Sequence, residues 1–249
     1  MELTNKVALV TGGTKGIGAA TALALAERGA DVAVVARHLD AEAQQVCAQI
    51  EKLGRRCLLL AADMGRPDEA TRCVEQTAQQ LGEVDVLVHS AGGGVRGGLL
   101  ELTPEAWREA FAVHVDAVFH LCRAAVPAMK KKKSGAIVLV SSVAGLRGLK
   151  MNLAYQVVKG ALPQFARGLA YELADDNIRV NCVAPGVIRT AFHAAMTPEV
   201  KRHNIENRIP LHREGTPEQV AGLIRELVCN DYVTGETFTV DGGLTMRIC

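Results

Sequence analysis

Residues 7–18 read Val7-Ala8-Leu9-Val10-Thr11-Gly12-Gly13-Thr14-Lys15-Gly16-Ile17-Gly18: an apolar run, a cluster of glycines, then the start of a helical pattern. A strand that is apolar throughout, not alternating, is buried on both faces, as in the middle of a parallel sheet. Glycines let the backbone turn tightly and let a ligand come close to it. The helix that follows offers unpaired N–H groups to an anion. A glycine-rich stretch alone carries little information, but strand before and helix after give it the context of a pyrophosphate cradle. Gly12, Thr14, Lys15, Gly16, Ile17 and Gly18 are the residues expected to form it.

Outward from this unit, short apolar runs alternate with longer helical patterns along the whole chain. Strands are expected at 31–36, 57–61, 84–89, 136–141, 179–183 and 237–240, and helices at 14–27, 40–53, 67–81, from 104, at 154–173 and from 217. Asp40, Thr103 and Thr216 supply capping side chains, with Pro104 and Pro217 at first helical positions. Such alternation with right-handed crossovers predicts an α/β fold, a Rossmann-like, doubly wound parallel sheet flanked by helices. No linker, repeat or low-complexity segment interrupts it, so residues 1–249 read as a single domain.

Composition narrows the function classes. With 49% hydrophobic and 22% charged residues the chain can bury a sizeable core, and a net charge of +1 gives no footprint for nucleic acid or a membrane surface. The Lys130–Lys133 run reads as a solvated turn between a helix and a strand. Seven cysteines without a C-x-x-C pair argue against a disulfide framework or a zinc site, and the histidines lack metal-ligand spacing. No signal-peptide pattern opens the chain and no apolar run approaches a bilayer-spanning length, so a reduced, cytoplasmic location is expected.

Two further patterns carry chemistry. In NAD sites a carboxylate ending the second strand accepts from the ribose 2′-hydroxyl. Here Val34-Val35-Ala36-Arg37 places a cation there instead, and with Lys15 it suits the 2′-phosphate of NADP(H). Tyr155 and Lys159, four apart in a helical segment, project from one face, where an ammonium would lower the phenol pKa and make it a general acid and base. Ser142 lies just past the fifth strand, at the carboxyl end of the sheet where open α/β folds bind ligands.

Taken together these features resemble the short-chain dehydrogenase/reductase family, in its compact branch. The resemblance runs through Thr11–Gly18, Asp63, Ser90-Ala91-Gly92, Ser142 with Tyr155 and Lys159, Asn181, Pro185-Gly186 with Thr190, Tyr232–Glu236 and Val240–Gly243. Within the family the general pattern is similar to 3-oxoacyl-[acyl-carrier-protein] reductases and to sugar or polyol dehydrogenases. It implies hydride transfer between NADP(H) and a small-molecule carbonyl or secondary alcohol. Tyr155 would be the acid/base, Lys159 would bind the nicotinamide ribose and tune Tyr155, and Ser142 would hold the substrate oxygen. Asp63 and Met64 would lie at the adenine, Ser90, Ala91 and Gly92 along the cofactor, and Pro185, Gly186, Val187 and Thr190 at the nicotinamide and phosphates.

Two positions depart from the family pattern. Its asparagine in the middle of the long helix is replaced within Val113-His114-Val115, and Asn-Asn-Ala-Gly becomes His89-Ser90-Ala91-Gly92. His114 could carry a proton relay to the lysine, since an imidazole donates and accepts, or could be a packed residue in an impaired, cofactor-binding regulatory member. His89 reads as structural. A dehydratase or epimerase on the same scaffold is the third reading. The resemblance makes residues 187–215 the substrate loop and lid, carrying Phe192, His193, Met196, His203, Arg208, His212 and Arg213. With Arg147 and Lys150 near the mouth, an anionic substrate is one option and surface cations the other. Carrier-protein docking on Lys130–Lys133 conflicts with the nearby Asp175-Asp176. A homotetramer or homodimer is expected, with Phe119, Leu121, Val126, Phe165 and Leu169 available to an interface or to the core.

Overall fold

The structure is a computed structural model and describes residues 1–194 and 196–246. At its centre β1 (Val7–Thr11) is buried at every residue and lies between two parallel neighbours, β2 (Asp31–Ala36) and β4 (Val86–His89). Adding β3 (Cys57–Ala61), β5 (Gly135–Val140), β6 (Ile178–Pro185) and β7 (Thr237–Val240) completes a parallel seven-stranded sheet in the order β3-β2-β1-β4-β5-β6-β7. The strand order reverses between β1 and β4, and the crevice above that switch point is where this architecture takes ligands.

Successive residues along each strand serve opposite faces. Leu9, Ile137 and Leu139 pack under α3 (Pro67–Gln80), α5 (Ala117–Lys132) and α6 (Leu153–Leu173), whereas Ala8, Val10, Ala136 and Val138 pack under α1 (Gly16–Ala26), α2 (Ala41–Lys52) and α8 (Pro217–Cys229). Burial on both sides is why these strands are apolar without alternation. Caps sit where the sequence places them. The Asp40 carboxylate accepts from the Ala43 N–H at 3.1 Å, and the Thr103 hydroxyl accepts from the Ala106 N–H at 3.2 Å at the start of α4 (Pro104–Phe111).

Between α4 and α5 the chain makes a π-helical turn, Ala112–Asp116, in which the Ala117 N–H reaches back to the Ala112 carbonyl. The joined run Pro104–Lys132 is 29 residues long, and its most apolar window has a mean hydropathy of 1.2. That length corrects the expectation that no apolar run approaches a bilayer span. Its buried face, Val118, Leu121, Cys122, Ala125 and Met129, packs in the core against the sheet. Leu121 is thus a core residue and not free for an interface, while Val126, Phe165 and Leu169 are half-buried against the same core.

Lys130–Lys132 end α5, with Lys133 its left-handed cap, and Lys130, Lys132 and Lys133 are engaged. Lys132 Nζ lies 2.6 Å from the buried Asp85 carboxylate, and Lys130 and Lys133 both pair with Asp176. Asp176 therefore does not oppose a free basic patch; it neutralises one.

Candidate active site

The turn after β1 is shaped by contacts that exclude side chains. Gly12 has φ +64°, and a Cβ there would lie 2.9 Å from the Ala91 backbone, so the glycine turn can sit directly against Ser90 and Ala91. The Thr11 hydroxyl ties the two together, accepting from the Ser90 and Ala91 N–H groups at 3.3 Å each. It donates in turn to His89 Nδ1 at 2.9 Å, and His89 Nε2–H donates to the Val113 carbonyl at 3.2 Å. His89 is a structural strut, as expected. Burial, and secondarily the Lys159 charge, push its pKa down to about 3, so it stays neutral.

Above the carboxyl ends of β1, β4, β5 and β6 opens one continuous cavity of about 1430 Å³. That exceeds the few hundred Å³ typical of one small ligand. Gly12, Lys15, Gly16, Ile17, Ser90, Ala91, Gly92, Ser142, Tyr155, Lys159, Pro185, Gly186, Val187 and Thr190 all line it. Other expected residues do not. Thr14, Gly18 and Met64 are buried, and Gly18 packs so closely that a Cβ there would lie 2.1 Å from the Gly12 carbonyl oxygen. Arg37 and Asp63 stand outside its lining at the ends of β2 and β3, Arg37 exposed and Asp63 half-buried. His114 lies behind the lining, with 1% of its surface exposed.

The catalytic candidates are anchored in pairs. Ser141 Oγ donates to the Lys159 carbonyl at 2.6 Å, and Lys159 Nζ returns to donate to the Val140 carbonyl at 2.7 Å. These bonds clamp the end of β5 to α6. Ser142 caps the short 3₁₀ turn Val143–Gly145, its Oγ accepting from the Ala144 N–H at 3.1 Å. Ser141 was not singled out by the sequence, because adjacent serines differ only in which way the strand end turns them.

Burial sets the charges. Lys159, 5% exposed, has its pKa lowered to about 8 by desolvation. Tyr155 is raised by burial, with the Ser142 hydroxyl opposing. This corrects the expectation that the ammonium dominates: Lys159 Nζ is 5.8 Å from the phenol ring, and desolvation wins. The phenol is held as a proton donor.

His114 is presented by the π-turn. Its Nε2–H donates to the Gly93 carbonyl at 3.1 Å, which leaves Nδ1 as the bare acceptor. That Nδ1 is buried without a hydrogen-bond partner among the described residues. Burial, then the charge of Lys159, push its pKa down to about 2. Its ring stands edge-on to Tyr155 at 6.0 Å, and the Phe192 ring lies tilted against Tyr155 at 5.9 Å. Residues 187–215 hold α7 (Pro198–His203) and a second π-turn, Asn204–Arg208.

A family model described as enoyl-(acyl carrier protein) reductase matches residues 12–245. The 3-oxoacyl-[acyl-carrier-protein] reductase of Synechocystis sp. is 38% identical over 247 residues, covering 98% of each chain. The chain belongs to the short-chain dehydrogenase/reductase family. Among solved structures of the family, L-sorbose reductase from Gluconobacter frateurii, complexed with NADPH and L-sorbose, superposes with a TM-score of 0.93 at 31% identity, covering 100% of this chain and 99% of that one. A short-chain type dehydrogenase/reductase from Mycobacterium marinum superposes at 0.92 with 34% identity, covering 99% of this chain and 98% of that one. The family makes the chain an oxidoreductase of the carbonyl/alcohol type, and no cluster able to hold a metal occurs among the described residues.

Proposed function

We propose that this chain is an NADP(H)-dependent oxidoreductase that interconverts a ketone and a secondary alcohol. The observation that carries the reading is the gathering of Ser142, Tyr155 and Lys159 in one cavity with the glycine-rich turn. The residues fit a dinucleotide. Side-chain-free Gly12, Gly16 and Gly92 line the cavity, the N-terminus of α1 opens onto it, and Lys159 is the cation at its centre. Arg37, at the end of β2 without an ion pair among the described residues, and Lys15 would take the 2′-phosphate. Lys15 is paired with Asp40 at 2.8 Å and Glu42 at 2.6 Å, but these are exposed pairs, weak enough for a phosphate dianion to displace. The NADPH in the complexed sorbose reductase supports the same choice.

Bound NADPH supplies a hydride to the carbonyl carbon. Ser142 and Tyr155 donate hydrogen bonds to the carbonyl oxygen, where negative charge develops. Tyr155 then gives up its proton, and the Lys159 ammonium stabilises the phenolate left behind. Phe192 packs against the ring of Tyr155. The half-exposed Phe119 on α5 supports assembly as a homo-oligomer, checked by light scattering.

The test is NADPH consumption, with NADH in parallel, against β-ketoacyl thioesters, diketones and keto-sugars. Turnover with NADPH on one class establishes the reading, and tight NADPH binding with no turnover on any carbonyl overturns it. The unpartnered Nδ1 of His114 favours a second reading, a cofactor-binding protein with a weakened site. A large gain in turnover in His114→Asn would favour that reading; a loss would show that the imidazole works.

A further inference from the structure

The charges along the cavity are one-sided. Its lining contains five cations, Lys15, Arg96, Arg147, Lys159 and Arg208, and no aspartate or glutamate among the described residues. The whole chain is nearly balanced, with 28 lysines and arginines against 27 acids, so overall basicity does not produce this. Lys15 lies at the glycine-rich turn and Lys159 at the catalytic tyrosine. That leaves three arginines without a role in the reaction already described.

These three come from separate loops over the carboxyl end of the sheet. Arg96 follows the Gly92–Gly94 stretch, Arg147 follows the turn that carries Ser142, and Arg208 closes the second π-turn of the lid. All line the cavity that holds Tyr155. Phe192 lies on Tyr155 and against Gly94, two residues before Arg96. Arg208 is aimed by a buried amide: its guanidinium donates to Asn204 Oδ1 at 2.8 Å, and Asn204 is 3% exposed. Arg147 spends donors on the Leu146 and Thr245 carbonyls at 3.0 and 3.4 Å. Neither it nor Arg96 makes an ion pair among the described residues. A guanidinium has five donors in a planar fork that matches carboxylate and phosphate oxygens, so Arg96 and Arg147 keep capacity for such a group. The same lining carries apolar Leu149, Met151, Phe192, Met196 and Val200 together with polar Asn152, Thr197, Asn204 and Asn207.

Resting on the oxidoreductase reading above, we propose that the substrate is a ketone bearing an anionic oxygen group, a carboxylate or a phosphate. Arg147 and Arg208, assisted by Arg96, hold the anion at the mouth while Ser142 and Tyr155 hold the carbonyl oxygen. The carbonyl carbon gains a hydride from NADPH and the oxygen gains the Tyr155 proton, giving a hydroxy acid or hydroxy phosphate and NADP⁺.

The experiment compares matched ketones with NADPH: a ketocarboxylate against its methyl ester, and a keto phosphate against its dephosphorylated form. The anionic member should be preferred in kcat/KM by about 10-fold or more, the scale of one charge-assisted hydrogen bond, with the difference in KM and shrinking as salt rises. The two pairs separate carboxylate from phosphate. Arg147→Ala and Arg208→Ala should each erase most of that preference, with retained NADPH affinity reporting that the variants fold. Equal or better turnover of the neutral members overturns the proposal, as does a loss of NADPH affinity that tracks the arginines to the cofactor. If no ketone in either pair reacts, the oxidoreductase reading is what fails. Titration of glutarate and of glycerol phosphate into the protein–NADPH complex then decides the anion site: saturable binding lost in Arg208→Ala sustains it, and no binding overturns it.

Discussion

The imidazole of His114 occupies the space that a side chain on Gly92 would need: a Cβ built on Gly92 would lie 2.1 Å from His114 Cε1. Gly92 also has φ +130°, a conformation L side chains rarely adopt. The Gly92–Gly93 loop of the large cavity and Tyr155 are therefore packed through one ring, which touches the first and stands edge-on to the second. Gly92→Ala should destabilise the protein by about 1–3 kcal/mol and weaken NADPH binding. His114→Ala should recover the steric share, leaving the backbone strain. Thermal unfolding of both single variants and the double variant checks this, and strictly additive losses would show that the two residues are not coupled.

Tyr155→Phe removes the proton donor without changing the shape of the cavity. Turnover should fall by roughly 10²–10⁴-fold, the usual contribution of general acid catalysis. NADPH binding, followed by fluorescence, should be unchanged. A variant with near-normal rate would sink the assigned role.

Arg37 stands at the end of β2, where the 2′-phosphate is expected. Arg37→Ala should weaken NADPH by about 10-fold or more and leave NADH almost unaffected, since only NADPH offers a phosphate to that cation. Equal small losses for both nucleotides would show that Arg37 does not read the 2′-phosphate.

Two neutral histidines, His89 with a pKa near 3 and His114 near 2, are buried in the folded state. Unfolding releases both to the ordinary histidine value near 6.5, so below that pH the unfolded chain binds protons the folded chain refuses. Stability should therefore be fully present above about pH 6.5 and be lost as pH falls toward 3, by about 1.4 kcal/mol per pH unit for each histidine. Denaturant unfolding from pH 7 to pH 4 measures the slope. In His114→Asn it should drop by one proton's worth, and an unchanged slope would contradict the buried neutral state.

Lys159 titrates near pH 8 in the free protein, because burial disfavours its charge. The ammonium is present below that pH and disappears above it, so kcat/KM for NADPH should fall on the alkaline side of about pH 8. Lys159→Arg, which stays charged, should lose that limb even where its rate is lower. A flat profile to pH 10 would remove Lys159 from cofactor binding.

Most of the fold was legible because each strand is a short apolar run and several helices carry a start signal of their own. β2, β3 and β7 have the bounds the sequence predicts, and Asp40 and Thr103 cap where they should. Ser142, Tyr155 and Lys159 could be picked out for the same reason: their spacing is local, and a strand end or a helix face decides where they point. Other features depend on which distant residues the fold brings together. Nothing local marks the π-turn at Ala112–Asp116, the clamp of Ser141 on Lys159, or the pairing of Lys130 and Lys133 with Asp176. Whether burial or the lysine charge governs the Tyr155 phenol also required knowing its depth in the core. The sequence by itself determined the sheet, the cradle and the chemical groups, through periodicity and short-range spacing. Only the tertiary structure decided their charge states and the one-sided lining of the cavity, because desolvation and packing are set by neighbours far apart along the chain.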